Sequence, residues 1–334
     1  MAFDRFSFIA GSLCQSGCRF LRSGYKERTM PLDEAIDKMA ARGLARGVEL
    51  HYGGSEPEGH WEKQKRQLEE LDLPLTYLNT WIYGERMWRY GALSAADPKV
   101  RRMAVERSKR TIDTARYMGA LGVGIWLGQD GFDYAFQTDY RAQWNALVDS
   151  LKELCDYAEG MPIALEPKPR EPRNRSLIDN VQTVLLLRYM TGRDNLGITL
   201  DTGHVLAGGQ GLGTSISLAL SENALYNLHT NDNYGAWDDD MIVGSVRLNE
   251  MLEAFYLLEK YEYPGYVSVD IFPYREDSID AVAESILCMK DYVRVVDKLG
   301  VEGIDALIRE GNVPKTLGVI RRAVFGKDEC HELL

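Results

Sequence analysis

The sequence contains no apolar run approaching the roughly 18–20 residues of a membrane span. Its first residues, MAFDRFS, carry charge where a secretory signal needs an apolar stretch. A cytoplasmic protein with no membrane partner is the expectation. Basic charge is also short, with 39 Lys and Arg against 50 Asp and Glu and a net charge of −11. Such a chain lacks the electropositive footprint that a phosphate backbone requires, so nucleic acid is not an expected partner. The five cysteines (14, 18, 155, 288 and 330) include one pair four apart, but no second close pair or nearby histidine completes a zinc pattern. Unpaired thiols in a reducing compartment are expected. The 11 prolines and 31 glycines are spread along the chain, which excludes collagen-like and low-complexity segments. What remains is 45% hydrophobic and 27% charged, the composition of a globular chain able to bury a large core.

Short apolar, β-branched runs alternate with longer stretches of helical period. The runs are Arg5–Ala10, Gly47–His51, Leu75–Asn79, Val123–Leu127, Pro162–Glu166, Leu196–Asp201, Ala224–His229 and Tyr266–Asp270. Helical stretches follow them at Leu32–Ala41, Pro57–Leu71, Pro98–Met118, Asp139–Ala158, Leu177–Tyr189, Ser215–Ser221, Leu248–Tyr261 and Ser278–Leu299. Strict alternation means parallel strands joined by crossovers, and eight such units can close into a (β/α)8 TIM barrel. The rival, a doubly wound open sheet, usually carries a glycine-rich phosphate loop after its first strand, where this chain has Gly11-Ser12-Leu13-Cys14. Residues 1–299 are expected to form the barrel. Residues 300–334 then form a helical tail, with helices near Ile304–Glu310 and Thr316–Phe325, that packs on this or a neighbouring subunit.

Barrel enzymes place their chemistry at the C-terminal ends of the strands. Four runs end at or beside a metal-ligating type: His51, Glu166, His229 and Asp270. A fifth ends at Asp201, with His204 three residues on, and Asp238 and Asp240 follow His229 in the next loop. Two unit charges about 4 Å apart repel by roughly 4 kcal/mol at an effective dielectric of about 20, so five carboxylates converging on one mouth require a cation. Oxygen-rich donors with two imidazoles and no thiolate favour Mg²⁺, Mn²⁺ or Co²⁺. Glu166-Pro-Lys168-Pro holds an extended backbone that puts Glu166 and Lys168 on one side of the strand. A sharp turn at Gly203 is expected to let Asp201 and His204 face one ion. In Trp237-Asp-Asp-Asp240, Asp238 and Asp240 share a side, and Asp239 is read as a solvated loop charge.

At these residues the sequence resembles the xylose isomerase and L-rhamnose isomerase group of sugar isomerases, through roughly residues 45–295. "IALEPKPREPRN" is similar to the fifth-strand segment of xylose isomerases and "WLGQDG" at 126–131 to their fourth-strand loop. "LDTGHVLAGG", "LHTNDNYGAWDDDMIVGS" and "VSVDIFPYRED" resemble the sixth, seventh and eighth strand segments of the two families. The resemblance implies two divalent cations: one on Glu166, Asp201, His229 and Asp270, the other on His204, Asp238 and Asp240 with Asp201 bridging. It implies that Lys168 binds the substrate oxygen that gains charge, that His51 assists ring opening and that Trp126 walls the sugar. It further implies a hydride shift helped by a metal-bound water near Asp238. The chain is a mosaic: Asp201 and His229 follow the rhamnose isomerase pattern, with Asn231 near a position where xylose isomerases carry aspartate, while Glu-Pro-Lys-Pro and Trp126 follow xylose isomerase.

The leading expectation is an aldose–ketose isomerase acting on an unphosphorylated sugar, assembled as a dimer or tetramer. The loops after strands seven and eight lack a glycine-rich phosphate cradle, and Arg170, Arg173 and Arg175 read as a solvated loop. The alternative is a keto-sugar epimerase or lyase with one metal and Glu166 paired with a second carboxylate as acid and base. A metal-dependent abasic-site nuclease is disfavoured by the negative charge. A non-catalytic sugar-binding protein is disfavoured by the full ligand set with Lys168.

Overall fold

The computed structural model describes residues 3–18 and 21–326, so Cys330 and the tail beyond 326 lie outside the described residues. Eight strands form the barrel: β1 (Phe6–Ile9), β2 (Gly47–Tyr52), β3 (Leu75–Thr80), β4 (Gly122–Trp126), β5 (Ile163–Glu166), β6 (Leu196–Asp201), β7 (Leu225–Thr230) and β8 (Val267–Val269). Each pairs in parallel with the next in the chain, and β8 returns to β1 in the register Phe6 to Val267, which closes the ring. Helices α1 (Leu32–Ala41), α2 (His60–Glu70), α3 (Pro98–Met118), α4 (Tyr140–Ala158), α5 (Val181–Thr191), α6 (Leu212–Ser221), α7 (Leu248–Lys260) and α8 (Ser278–Leu299) surround it. The expected barrel is therefore the observed fold.

Alternation along the strands divides the protein into two interiors. One set of positions is mostly apolar, and Phe6, Phe8, Leu50, Val123, Ile125, Leu165, Ile198 and Val267 from it are buried in the main hydrophobic core, where strands meet helices. The alternate set is polar yet buried: Ser7, Glu49, Asn79, Thr199, Asn227 and Ser268. A period of two sends these to the opposite face, the lumen of the barrel. The hydrophobic core is thus an annulus around a polar axis. A Cβ on Gly124 would overlap the Asn79 side chain, so glycine there leaves room for a neighbour's amide inside a narrow barrel.

The helix expected at Ser215 begins earlier, at Leu212, as do the two tail helices, at Val301 and Val313, while two helix starts fall later than the sequence expectation. The stretch from Pro57 becomes helical only at His60, after Gly59 at φ 75°. The stretch from Leu177 waits until Val181, where the Asn180 side chain accepts from Thr183 N at 2.8 Å. The residues between are held by the mouth of the barrel: Leu177 N donates to Asp130 O at 2.9 Å, and Ile178 O accepts from Lys168 N at 3.1 Å. A two-residue antiparallel ladder, Gly131–Phe132 against Arg175–Ser176, joins the loops that follow β4 and β5. Beyond the barrel, α9 (Val301–Glu310) docks on this chain's own α7 and α8, with Ile304 buried and Lys260 Nζ 2.6 Å from Asp305. The next helix, α10 (Val313–Phe325), buries no residue fully.

Candidate active site

The C-terminal strand ends open into a cavity of about 650 Å³. Its walls include His51 from β2, Trp126 from β4, Glu166 at the end of β5, Lys168 just beyond, His204 after β6, His229 from β7 and Asp270 after β8. Asp238 and Asp240 enter from the loop after β7, while Asp239 is exposed. All the expected site residues thus lie at one end of the barrel.

Within it, donor atoms of Glu166, Asp201, His229 and Asp270 lie within 4.8 Å of one another, as do those of Asp201, His204 and Asp238. Asp201 belongs to both groups. Asp240 lines the cavity without joining the second group at that distance. His229 Nδ1 faces Glu166 Oε1 at 3.6 Å and Asp270 Oδ2 at 3.5 Å, yet it is buried without a hydrogen-bond partner. An orphaned imidazole nitrogen among three carboxylates is what a cation site presents when described without its ion, and the oxygen-rich donor set suits a hard divalent ion.

The local backbone explains how β6 delivers two of these groups. The chain does not turn sharply at Gly203. It passes from β6 into a short helix, Thr202–Ala207, with Asp201 as its cap accepting from His204 N at 2.9 Å. One helical turn then brings His204 back over Asp201. Gly203 is needed for a different reason, since a Cβ there would overlap Asn231 Oδ1. Asn231, fully buried, donates Nδ2 to both Asp201 oxygens, at 3.1 and 2.9 Å.

The fields in this cluster pull against one another. Burial opposes charge on Glu166, but His229, His204 and Lys168 outweigh it and hold the carboxyl below its usual range. Asp270, also buried and facing Glu166 and Asp201, is pushed up to about 7 despite His229. Burial would lower His204, but Asp201 and Asp238 raise it to about 9. Burial lowers His51 to about 4. Lys168 Nζ lies 2.7 Å from Asp238 and 3.0 Å from Glu171. Its burial is outweighed by Asp238, Asp240 and Glu171, so it stays above its ordinary value.

An aromatic wall completes the cavity. His51 packs edge-on to Trp81 at 5.6 Å, Trp81 meets Tyr83 at 4.5 Å, and Tyr83 meets Trp126 at 4.4 Å. Lys168 Nζ lies 5.4 Å from the Trp126 ring centre. The arginine cluster is not a uniformly solvated loop. Arg173 is largely buried and ties the mouth together, pairing with Asp133 at 2.6 Å and donating to Gln129 O at 3.4 Å, while Arg175 is exposed. Trp81, Tyr83 and above all Glu49 are site residues that the strand-end pattern does not single out. The signal for Glu49 was a lone acid inside an apolar strand run, two residues before His51 and so on the same face.

The family model described as xylose isomerase-like TIM barrel matches residues 36–292. A xylose isomerase of Thermus thermophilus is 26% identical over 304 residues, covering 86% of this chain and 78% of the relative. Among solved structures, an L-ribulose 3-epimerase superposes with a TM-score of 0.70 at 18% identity, covering 89% of this chain and 98% of the other. An IolI protein with a bound zinc atom gives a TM-score of 0.64 at 18% identity, covering 86% and 98%.

Proposed function

Because the chain belongs to the xylose isomerase-like TIM barrel family, we propose that it is a divalent-metal-dependent isomerase interconverting an aldose and a ketose, both unphosphorylated. The observation that carries this reading is Lys168. It is a buried ammonium aimed into the same cavity as the carboxylate cluster and flanked by Trp126. One cation would be held by Glu166, Asp201, His229 and Asp270, and a second by Asp201, His204 and Asp238 with Asp240 nearby. When bound, such cations act as Lewis acids toward charge on the sugar oxygens.

The protein's own groups supply the rest. Burial lowers the His51 pKa to about 4, so the imidazole is neutral at neutral pH and would take the C1 hydroxyl proton as the bond from C1 to the ring oxygen breaks, returning that proton to the ring oxygen to leave the open chain. Lys168 remains charged and donates to the oxygen that becomes negative as hydrogen moves between C1 and C2. Trp81, Tyr83 and Trp126 cover the apolar edge of the sugar and keep water from the reacting carbons.

A second reading, a keto-sugar epimerase, is favoured by Glu166 and Asp270 lining the same cavity with donor atoms within 4.8 Å of one another, a carboxylate pair that would serve as base and acid. The likeness to an L-ribulose 3-epimerase fold is compatible with it. A screen of free aldoses and ketoses in D₂O separates the two. Isomerisation by hydride shift leaves product carbon-bound hydrogen undeuterated, whereas epimerisation through proton abstraction incorporates deuterium. Activity should vanish with EDTA and return with Mn²⁺, Co²⁺ or Mg²⁺, and full turnover of metal-free protein would overturn both readings.

A further inference from the structure

Glu49 sits at the centre of the polar barrel axis, fully buried and without contact to the open cavity. Four groups from three strands converge on it. Asn79 Nδ2 donates to Oε2 at 2.8 Å, Asn227 Nδ2 to Oε1 at 2.9 Å, and Ser268 Oγ donates to Oε1 in a short hydrogen bond. His229 Nε2 lies 3.2 Å from Oε2. Amide nitrogens can only donate, so these oxygens are acceptors, and the imidazole must meet them with an N–H. Asn227 Nδ2 carries two hydrogens and also lies 3.1 Å from His229 Nε2, but a bare Nε2 accepting the second would set its lone pair against Glu49 Oε2 at 3.2 Å, whereas an Nε2–H satisfies that oxygen.

We propose that Glu49 is a positioning residue: it fixes the ring plane and tautomer of His229, so that Nε2 carries the proton and the bare Nδ1 is presented to a divalent cation. The orphaned Nδ1 described above is the other end of that arrangement. A buried carboxylate behind a ligating imidazole both orients the ring and raises its basicity. Glu49 alone could not do this if it swung between rotamers. The two asparagines and Ser268, itself bonded to Ser7, leave it no alternative position. This inference rests on the proposed metal dependence of the site.

The test is Glu49→Gln, which preserves shape and removes the charge, measured for Mn²⁺ affinity by titration calorimetry and for unfolding temperature without metal. The expected result is about 10–100-fold weaker Mn²⁺ binding by the folded variant. Unchanged affinity with lowered thermal stability would make Glu49 only a structural acid and overturn the proposal. Nitrogen-15 NMR of labelled histidine in the unsubstituted, Mg²⁺-loaded protein gives an independent reading should the variant fail to fold. A His229 proton on Nε2 is expected, and one on Nδ1 would overturn the proposal. Failure of the parent protein to bind any divalent cation would instead remove the functional reading on which this one rests.

Discussion

Asp201 carries the largest share of the proposed chemistry for one side chain, because it contributes to both groups of ligating atoms and caps the helix that returns His204. For Asp201→Asn, Mn²⁺ content at both positions should fall, with affinity reduced at least about tenfold. Normal occupancy at either position, measured by metal analysis, would show that it does not bridge. Lys168 makes the opposite prediction. Lys168→Met should lower turnover about 10²–10³-fold while metal content holds, since the ammonium is not a ligand. His204 sets a pH dependence. In metal-free protein its pKa of about 9 exceeds the ordinary 6.5, so the stability it contributes is complete below 6.5 and is lost as pH rises through 9. A cation must displace that proton, so apparent affinity should climb across the same interval. Calorimetry at pH 7.5 in buffers of different ionisation heat should register proton release, and no buffer dependence would count against His204 as a ligand.

At the scale of elements, the boundary between β6 and its short helix depends on a missing side chain. Gly203→Ala should push Asn231 away from Asp201 and cost about 1–3 kcal/mol by overpacking, together with weaker metal binding. Asn180→Ala, which removes only the cap of α5, should cost about 1 kcal/mol with metal affinity intact. Denaturant titration of the two variants separates local capping from damage to the site. The same elements show how far the sequence could be read. Hydrophobic runs fix strand number and order because each strand is apolar on its outer face, and strand-end position then assembles Glu166, Asp201, His229 and Asp270 without any side-chain detail. The helix after Asp201 was hidden because Thr-Gly-His is equally compatible with a turn, and only the tertiary approach of Asn231 explains the glycine. The late start of α5 was hidden for a related reason: the backbone at Leu177 and Ile178 is consumed by partners roughly 47 and 10 residues away in the chain, Asp130 and Lys168. Glu49 was concealed by burial itself, since its partners come from strands β3, β7 and β8.

For the molecule as a whole, the site is a concentration of buried negative charge inside a protein already acidic overall. Loading with a divalent cation should therefore stabilise the fold, by about 2.7 kcal/mol at a free concentration one hundred times Kd. An unfolding temperature independent of Mn²⁺ would contradict the site. The ladder between Gly131–Phe132 and Arg175–Ser176 has a consequence for how such a mouth can be rebuilt. It stitches the segment carrying Gln129 and Asp130 to the one carrying Lys168, and Arg173 clamps the same two segments through Asp133. Neither loop is a separable module. Grafting a foreign β4 loop without its β5 loop would strand the ladder's backbone groups, and any residue other than glycine at position 131 would meet the Arg175 carbonyl. The two loops are a single unit of recombination, and chimaeras that exchange both should retain the mouth of the cavity where single exchanges lose it.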